Sequence, residues 1–331
     1  MPATSRRGVL AAAAAVDFAL GPRPASAQGA AGGFPDRPLR IIVPYNAGGI
    51  TDVMSRAAAQ ALTPVLGQPV VVENRPGANG SVGTHVAARA PGDGYTLTMG
   101  ITDTFAINPS TFRTLPYDPE RDFVPVTMVA RVPFALMVGP SQREIITFVQ
   151  LSAEARRERA HLSFASWGVG SSSHLAMEFI AASQGFEKLH VPFTGQAPGM
   201  QAVASGQVDA MVLPVGGAEQ LARDGRARIV AVAAPQRVEL VPNAPTLTEL
   251  GVPLSTGLWL ALYAPARTPE PVVARLNAAA REAVRNEALV AAFRNQAAVP
   301  EPSTPEELAA FQRRERAQWA EVVRNAKIVV E

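Results

Sequence analysis

LRIIVPYNAGGITDVMSRAAAQALTPVLG, residues 39–67, reads in order as a short apolar strand, a glycine turn and an amphipathic helix. Leu39, Ile41, Ile42 and Val43 form the apolar run of a buried strand. Gly48 and Gly49 predict a turn with positive φ, and Thr51 predicts the N-cap of the helix, with Asp52 in its first turn. The first-turn amides of such a helix have no partner within it. With the positive end of the helix dipole, they favour a carboxylate or phosphate lying above the strand. An ordinary βα turn has the same pattern, and the stretch taken alone leaves both readings open.

Outward from this stretch, strand and helix signals alternate. LRIIVPY, a helix over 52–66, VVVEN, a helix over 82–89 and TLTMGI make a first series. A second starts at Phe134 with FALMVGP, a helix over 145–156, LSFASW, a helix over 174–184, LHVPF, a helix over 200–205, DAMVLPV and RIVAVAA. Short apolar strands alternating with helices predict mostly parallel sheets flanked by helices, and two such series predict two lobes. WLALYAP then returns the chain to the first lobe. Thr268-Pro269-Glu270 and Thr304-Pro305-Glu306-Glu307 read as helix starts, the second with a capping-box glutamate. The expected division is residues 34–130 with 250–331 as lobe 1, and 131–249 as lobe 2.

The first 27 residues read as a removable export signal: Arg6 and Arg7, an alanine-rich apolar stretch and the small-residue site Ala25-Ser26-Ala27. Ser5-Arg6-Arg7 also fits a twin-arginine pattern, which leaves the export route open. Losing this segment removes three arginines and Asp17, so the formal charge of +2 becomes zero and nucleic acid is an unsuitable partner. No later stretch offers about 20 consecutive apolar residues, so direct membrane insertion is not expected. With no cysteine there is no disulfide, thiolate metal site or lipid-modified cysteine.

A second glycine-rich start follows LSFASW, at Gly168-Val169-Gly170-Ser171-Ser172-Ser173-His174. Glycines and hydroxyls again stand at a helix N-terminus, where one serine can cap and the others can meet either an anion or solvent. Ser171 or Ser172 beside His174 permits a nucleophile and base reading. It is the weaker one, because adjacent residues diverge around a helix axis and no G-x-S-x-G elbow is present. The four histidines lack metal-ligand spacing, and the glycine clusters lack both the P-loop lysine and the third glycine of a dinucleotide site. Neither metal nor cofactor is expected. Asp103 follows a strand end, where open α/β sheets place ligands, and Tyr45 and Phe193 read as core or cleft wall.

PDRPLRIIVPYNAGGITD, VVVENRPGANGSVG, INPSTFRTLPYDPERDFVPV, the 168–174 stretch, LHVPFTGQAPGMQAVASGQVDAM and TPEELAAFQRRERAQWAEVVRNAKI together resemble the Bug receptors, solute-binding proteins of tripartite tricarboxylate transporters. The resemblance runs through nearly all of the chain after residue 27. It implies a two-lobed, flytrap-like periplasmic binding protein rather than an enzyme, with a small carboxylate held in the cleft between its lobes. Membrane permease subunits, or a sensor kinase in a signalling variant, are the implied partners. The implied ligand contacts are Tyr45, Asn46, Ala47, Gly48, Gly49, Thr51 and Asp52 in the first loop, and Thr102, Asp103, Thr104 and Asn108 after TLTMGI. Ser166, Trp167, Gly168, Gly170, Ser171, Ser172 and His174 make the second loop, with Phe193 and Gly195 beside it. Asn46, Phe105, Trp167 and Leu213-Pro214 depart from the family pattern, and these departures are expected to bear on which ligand binds.

Overall fold

In the computed structural model, which describes residues 33–157 and 162–330, the first stretch forms strand β1 (Leu39–Val43) and helix α1 (Ile50–Leu66). The expected signal segment and His161 lie outside the described residues. Gly48 does take positive φ, at 83°. Gly49 does not; it is the N-cap at φ −78°, so Thr51 belongs to the first turn and caps nothing.

The following elements are β2 (Val70–Asn74), α2 (Ser81–Ala88) and β3 (Thr96–Ile101), then a π-helical turn (Asp103–Ile107), α3 (Asn108–Thr111) and β4 (Phe123–Val138). Then come α4 (Phe148–Ala155), β5 (Leu162–Ser166), α5 (Ser172–Gln184), β6 (Lys188–Pro192), α6 (Gln196–Ala204), β7 (Ala210–Pro214), α7 (Val215–Arg223) and β8 (Arg228–Ala233). β9 (Gly257–Pro265), α8 (Glu270–Ala283), α9 (Glu287–Arg294), β10 (Val299–Pro300) and α10 (Pro305–Ala326) complete the described chain.

The two halves share one path of strands, β2-β1-β3-β9-β4-β7-β5-β6, with β8 and β10 also pairing β4. Each half keeps a parallel set of three strands, β2-β1-β3 and β6-β5-β7. The pairs made by β9 and β4 are antiparallel. β4 is the strand that joins the halves. Phe123 to Pro133 pair with β9, and Phe134 to Val138 pair with β7 and β8. Sequence reading starts this strand at Phe134, whereas it begins at Phe123 and contains Pro125 and Pro133. The ladder accommodates them through register shifts after Pro125 and Met128, and the partner changes immediately after Pro133, which has no N–H to donate. The buried core runs unbroken through β4, from Leu39 and Met54 on one side to Phe164 and Val212 on the other, with Phe134 fully buried between them.

Local capping signals survive folding. Thr304 and Glu307 form a reciprocal capping box on α10, Thr147 and Gln150 form one on α4, and Ser171 caps α5 by accepting the His174 N–H. Thr268 does not cap α8; its hydroxyl donates to the Pro265 carbonyl, and Pro269 is the N-cap. α7, α9 and the turn at Asp103–Ile107 escape sequence reading, and α6 starts at Gln196 rather than Met200.

Candidate functional site

The first loop leaves β1 at Pro44 and is braced from within. One Asp52 oxygen accepts from the Gly48 N–H (3.0 Å) and Arg56 Nε (3.1 Å), and the other from Asn74 Nδ2 (2.9 Å) and Arg56 (2.9 Å). Burial would raise the Asp52 pKa, but these bonds from Arg56, Gly48 and Asn74 outweigh it and hold the carboxyl below its usual range. Asp52 therefore shapes the loop, and no side chain caps α1. At the rim, Asn46 Nδ2 donates to the Thr194 carbonyl at 3.0 Å, the bond that joins the first loop to the other half of the sheet.

Between these parts lies a cavity of about 40 Å³. Seven expected residues line it: Tyr45, Asn46, Ala47, Gly49, Thr51, Trp167 and Gly195. Ile50, Ile101, Gln196, Ala197, Pro198 and Leu258 join them and were not foreseen. The N-terminus of α6, which no side chain caps, thus faces the N-terminus of α1. The sequence did carry a signal for it. Pro198 sits in the first turn of α6, where a missing N–H costs no helical bond.

The second glycine-rich loop is placed differently from expectation. Gly170, Ser171, Ser172 and His174 are buried, and neither they nor Gly168 line the cavity. The start of α5 is occupied by a carboxylate of the protein itself. Asp103 accepts from the Ser172 N–H at 2.5 Å, the Ser172 hydroxyl at 3.1 Å and the Trp167 indole N–H at 3.3 Å. Ser166 accepts from the Gly168 N–H and bonds His190 Nε2 at 2.7 Å. Thr102 accepts from the Trp259 N–H, Thr104 from the Ile101 N–H, and Asn108 donates to the Asn79 carbonyl. Phe193 bonds the Ser166 carbonyl through its backbone. These groups are engaged within the protein, and none of Thr102, Asp103, Thr104, Asn108, Ser166 and Phe193 lines the cavity.

His174 faces away from the three serines. Its Nδ1 accepts from the Gly170 N–H, its Nε2 lies 3.4 Å from Glu178, and its ring stacks on His190 at 3.7 Å. The hydroxyls of Ser171, Ser172 and Ser173 donate to Gly168, Asp103 and Val212. The nucleophile and base reading therefore finds no serine hydroxyl on the His174 ring. Two of the family departures are core as well: Phe105 stacks on Tyr263 at 3.8 Å, and Pro214 pairs with Phe134. Both are buried, and neither lines the cavity.

A larger concavity, about 1110 Å³, opens between α5, α10 and the segment after β8. Arg131, Arg237 and Arg294 line it; Arg131 is paired with Glu301 at 2.6 Å and stacked on Phe311 at 4.5 Å, and Arg237 is paired with Glu249 at 2.7 Å.

The buried Asp103 and the half-buried His190 titrate in opposite senses. Burial lifts Asp103 from 3.8 to about 6 against its three hydrogen bonds, and burial together with the charge of His174 lowers His190 from 6.5 to about 4. The folded protein holds the Asp103 proton more tightly than the unfolded chain, so acidification from about pH 6 toward 4 adds stability through Asp103. The His190 proton is held less tightly, so the same window removes stability through His190. Melting temperatures taken from pH 7 to 4.5 should fall faster than wild type in D103N and more slowly in H190Q. Identical slopes in all three proteins would contradict the assignment.

With this geometry, comparison with known proteins is informative. Residues 54–328 match the model of the tripartite tricarboxylate transporter family receptor. Protein BugT of Bordetella pertussis is 35% identical over 294 residues, 88% of this chain and 90% of that one. The structure of R. palustris Rpa4515 with adipate superposes with a TM-score of 0.85 at 31% identity, covering 89% of this chain and 99% of that one. MatC of Rhodopseudomonas palustris, with bound malate, gives 0.82 at 33% identity, covering 88% and 100%.

Proposed function

The chain belongs to the tripartite tricarboxylate transporter receptor family, and on that premise we propose that it is an exported receptor holding one small carboxylate between the N-termini of α1 and α6. It delivers that acid to membrane permease subunits. Residues 34–130 with 250–331 act as one lobe and 131–249 as the other. The division falls at β4 near Pro133, where the strand changes partners.

The observation that carries the reading is the pair of helix starts, both without side-chain caps, facing one cavity. Free amides at both ends supply donors and a favourable potential for a carboxylate without any charged side chain. A cavity of about 40 Å³ holds only a few waters, so the ligand enters an opened form. The Asn46 to Thr194 bond is one that must break to open the cleft and reform over the ligand. Binding then favours the closed state by bridging both sides. Export is supported by the N-terminal signal pattern, and among the described residues no helix is long and apolar enough to cross a membrane.

The test is a thermal-shift screen of the chain from residue 28 against mono- and dicarboxylates, aromatic acids and acidic amino acids. An acid at a hundredfold excess over its dissociation constant should add about 2.7 kcal/mol and raise the melting temperature by several degrees. Absence of a shift with every acid at millimolar concentration would sink the reading.

A further inference from the structure

The anion position at the start of α5 is not vacant. Asp103, in the turn that follows β3 in one half of the sheet, reaches α5 in the other half and fills it through the Ser172 N–H, the Ser172 hydroxyl and the Trp167 indole. Its side chain is fully buried, so the position is closed to a ligand as long as that carboxylate stays.

Apart from Tyr45, Asn46, Thr51 and Gln196, the side chains that line the cleft are apolar. Ile50, Ile101, Trp167, Ala197, Pro198 and Leu258 line it, and no lysine or arginine does. An acid anchored by one carboxylate at α1 and α6 would present its remainder to these side chains. A second carboxylate there would lose its water without gaining a cation. It would also lie on the Trp167 side, whose indole N–H already points at the buried charge of Asp103.

Resting on the carboxylate-receptor reading, we propose that Asp103 is a specificity determinant that restricts the cleft to acids with a single carboxylate and an apolar or aromatic remainder. The solved relatives that carry adipate and malate hold dicarboxylates, so this chain differs from them in ligand class. Asp103 acts as an internal second carboxylate: it satisfies α5 and holds the indole of Trp167 against the cleft.

Isothermal titration at pH 7.5, above the Asp103 value of about 6, tests this with acids matched in carbon count: butanoate against succinate, hexanoate against adipate, benzoate against terephthalate. The wild-type chain from residue 28 should bind at least one monoacid about tenfold or more tighter than its diacid partner. D103N keeps the size and removes the charge, and should narrow that ratio by about tenfold, mainly through tighter diacid binding. D103S is the second variant should D103N fold poorly, and the wild-type ratio stands without either. A wild-type protein that prefers the diacids, or a folded D103N or D103S with an unchanged ratio, overturns the proposal while leaving a carboxylate receptor intact. Absence of binding by every acid overturns both, and is a different outcome from inverted selectivity.

Discussion

Replacing Trp167 by alanine is expected to lower the melting temperature by on the order of 10 °C and to widen the range of acids bound. The indole is 7% exposed, packs edge-on against Phe134 with ring centroids 5.8 Å apart, and closes one wall of the cleft. Truncating a buried tryptophan to alanine costs about 3–5 kcal/mol, because the transfer energy of the ring is lost and the neighbours refill the space only in part. Phe134 sits where β4 changes partners and has little freedom to follow. The same space lies beside a cavity of only about 40 Å³, so its opening relieves the steric limit on the acid's remainder. Acids with longer or bulkier remainders should therefore gain affinity relative to short ones. Differential scanning fluorimetry reads the first effect and titration with a homologous series of monoacids the second. A variant that melts like the wild type, or one that loses all acids equally, would place the indole elsewhere.

Gly83→Ala is expected to destabilise the protein by about 1–3 kcal/mol and weaken acid binding, although glycine to alanine inside a helix ordinarily stabilises by roughly 1 kcal/mol. Gly83 lies in α2, and a Cβ there would stand 2.8 Å from Pro44 Cα, 3.0 Å from Pro44 Cβ, and closer still to the Arg75 carbonyl. These are backbone neighbours that cannot rotate away. Pro44 is the residue from which the loop Tyr45 to Gly49 departs, so any shift that relieves the clash moves the amides at the start of α1. Melting temperature and the dissociation constant for the best acid should both worsen. A rise in melting temperature, the ordinary outcome for an exposed helical glycine, would show that α2 does not press on the loop.

Much of the fold was legible in the sequence because its signals are local. The run Leu39 to Val43, the turn at Gly48 and the capping boxes of α4 and α10 rest on interactions within a few residues. The family pattern added the two-lobed arrangement. β4 was only half legible, because two prolines inside a strand argue against it locally and only pairing to β9 resolves them. Most of the first loop lines the cavity, but Gly48 and Asp52 do not, and Asp52 is consumed by Asn74 and Arg56. Of the second loop, only Trp167 lines the cavity. Glycines and serines at the start of α5 look the same whether the anion they meet is a ligand or an aspartate 69 residues earlier in the chain.

By itself the sequence determined the α/β alternation, the helix start at the first loop and the membership of a carboxylate-receptor family, all carried by short-range patterns. Only the tertiary structure decided which helix faces α1 across the cleft. It is α6, brought there with the Asn46 to Thr194 bond across 148 residues, while α5 is turned inward and satisfied by Asp103. The reason is physical. A helix start must find partners for its free amides, but nothing within a few residues specifies whether such a partner comes from a distant residue or from outside the protein.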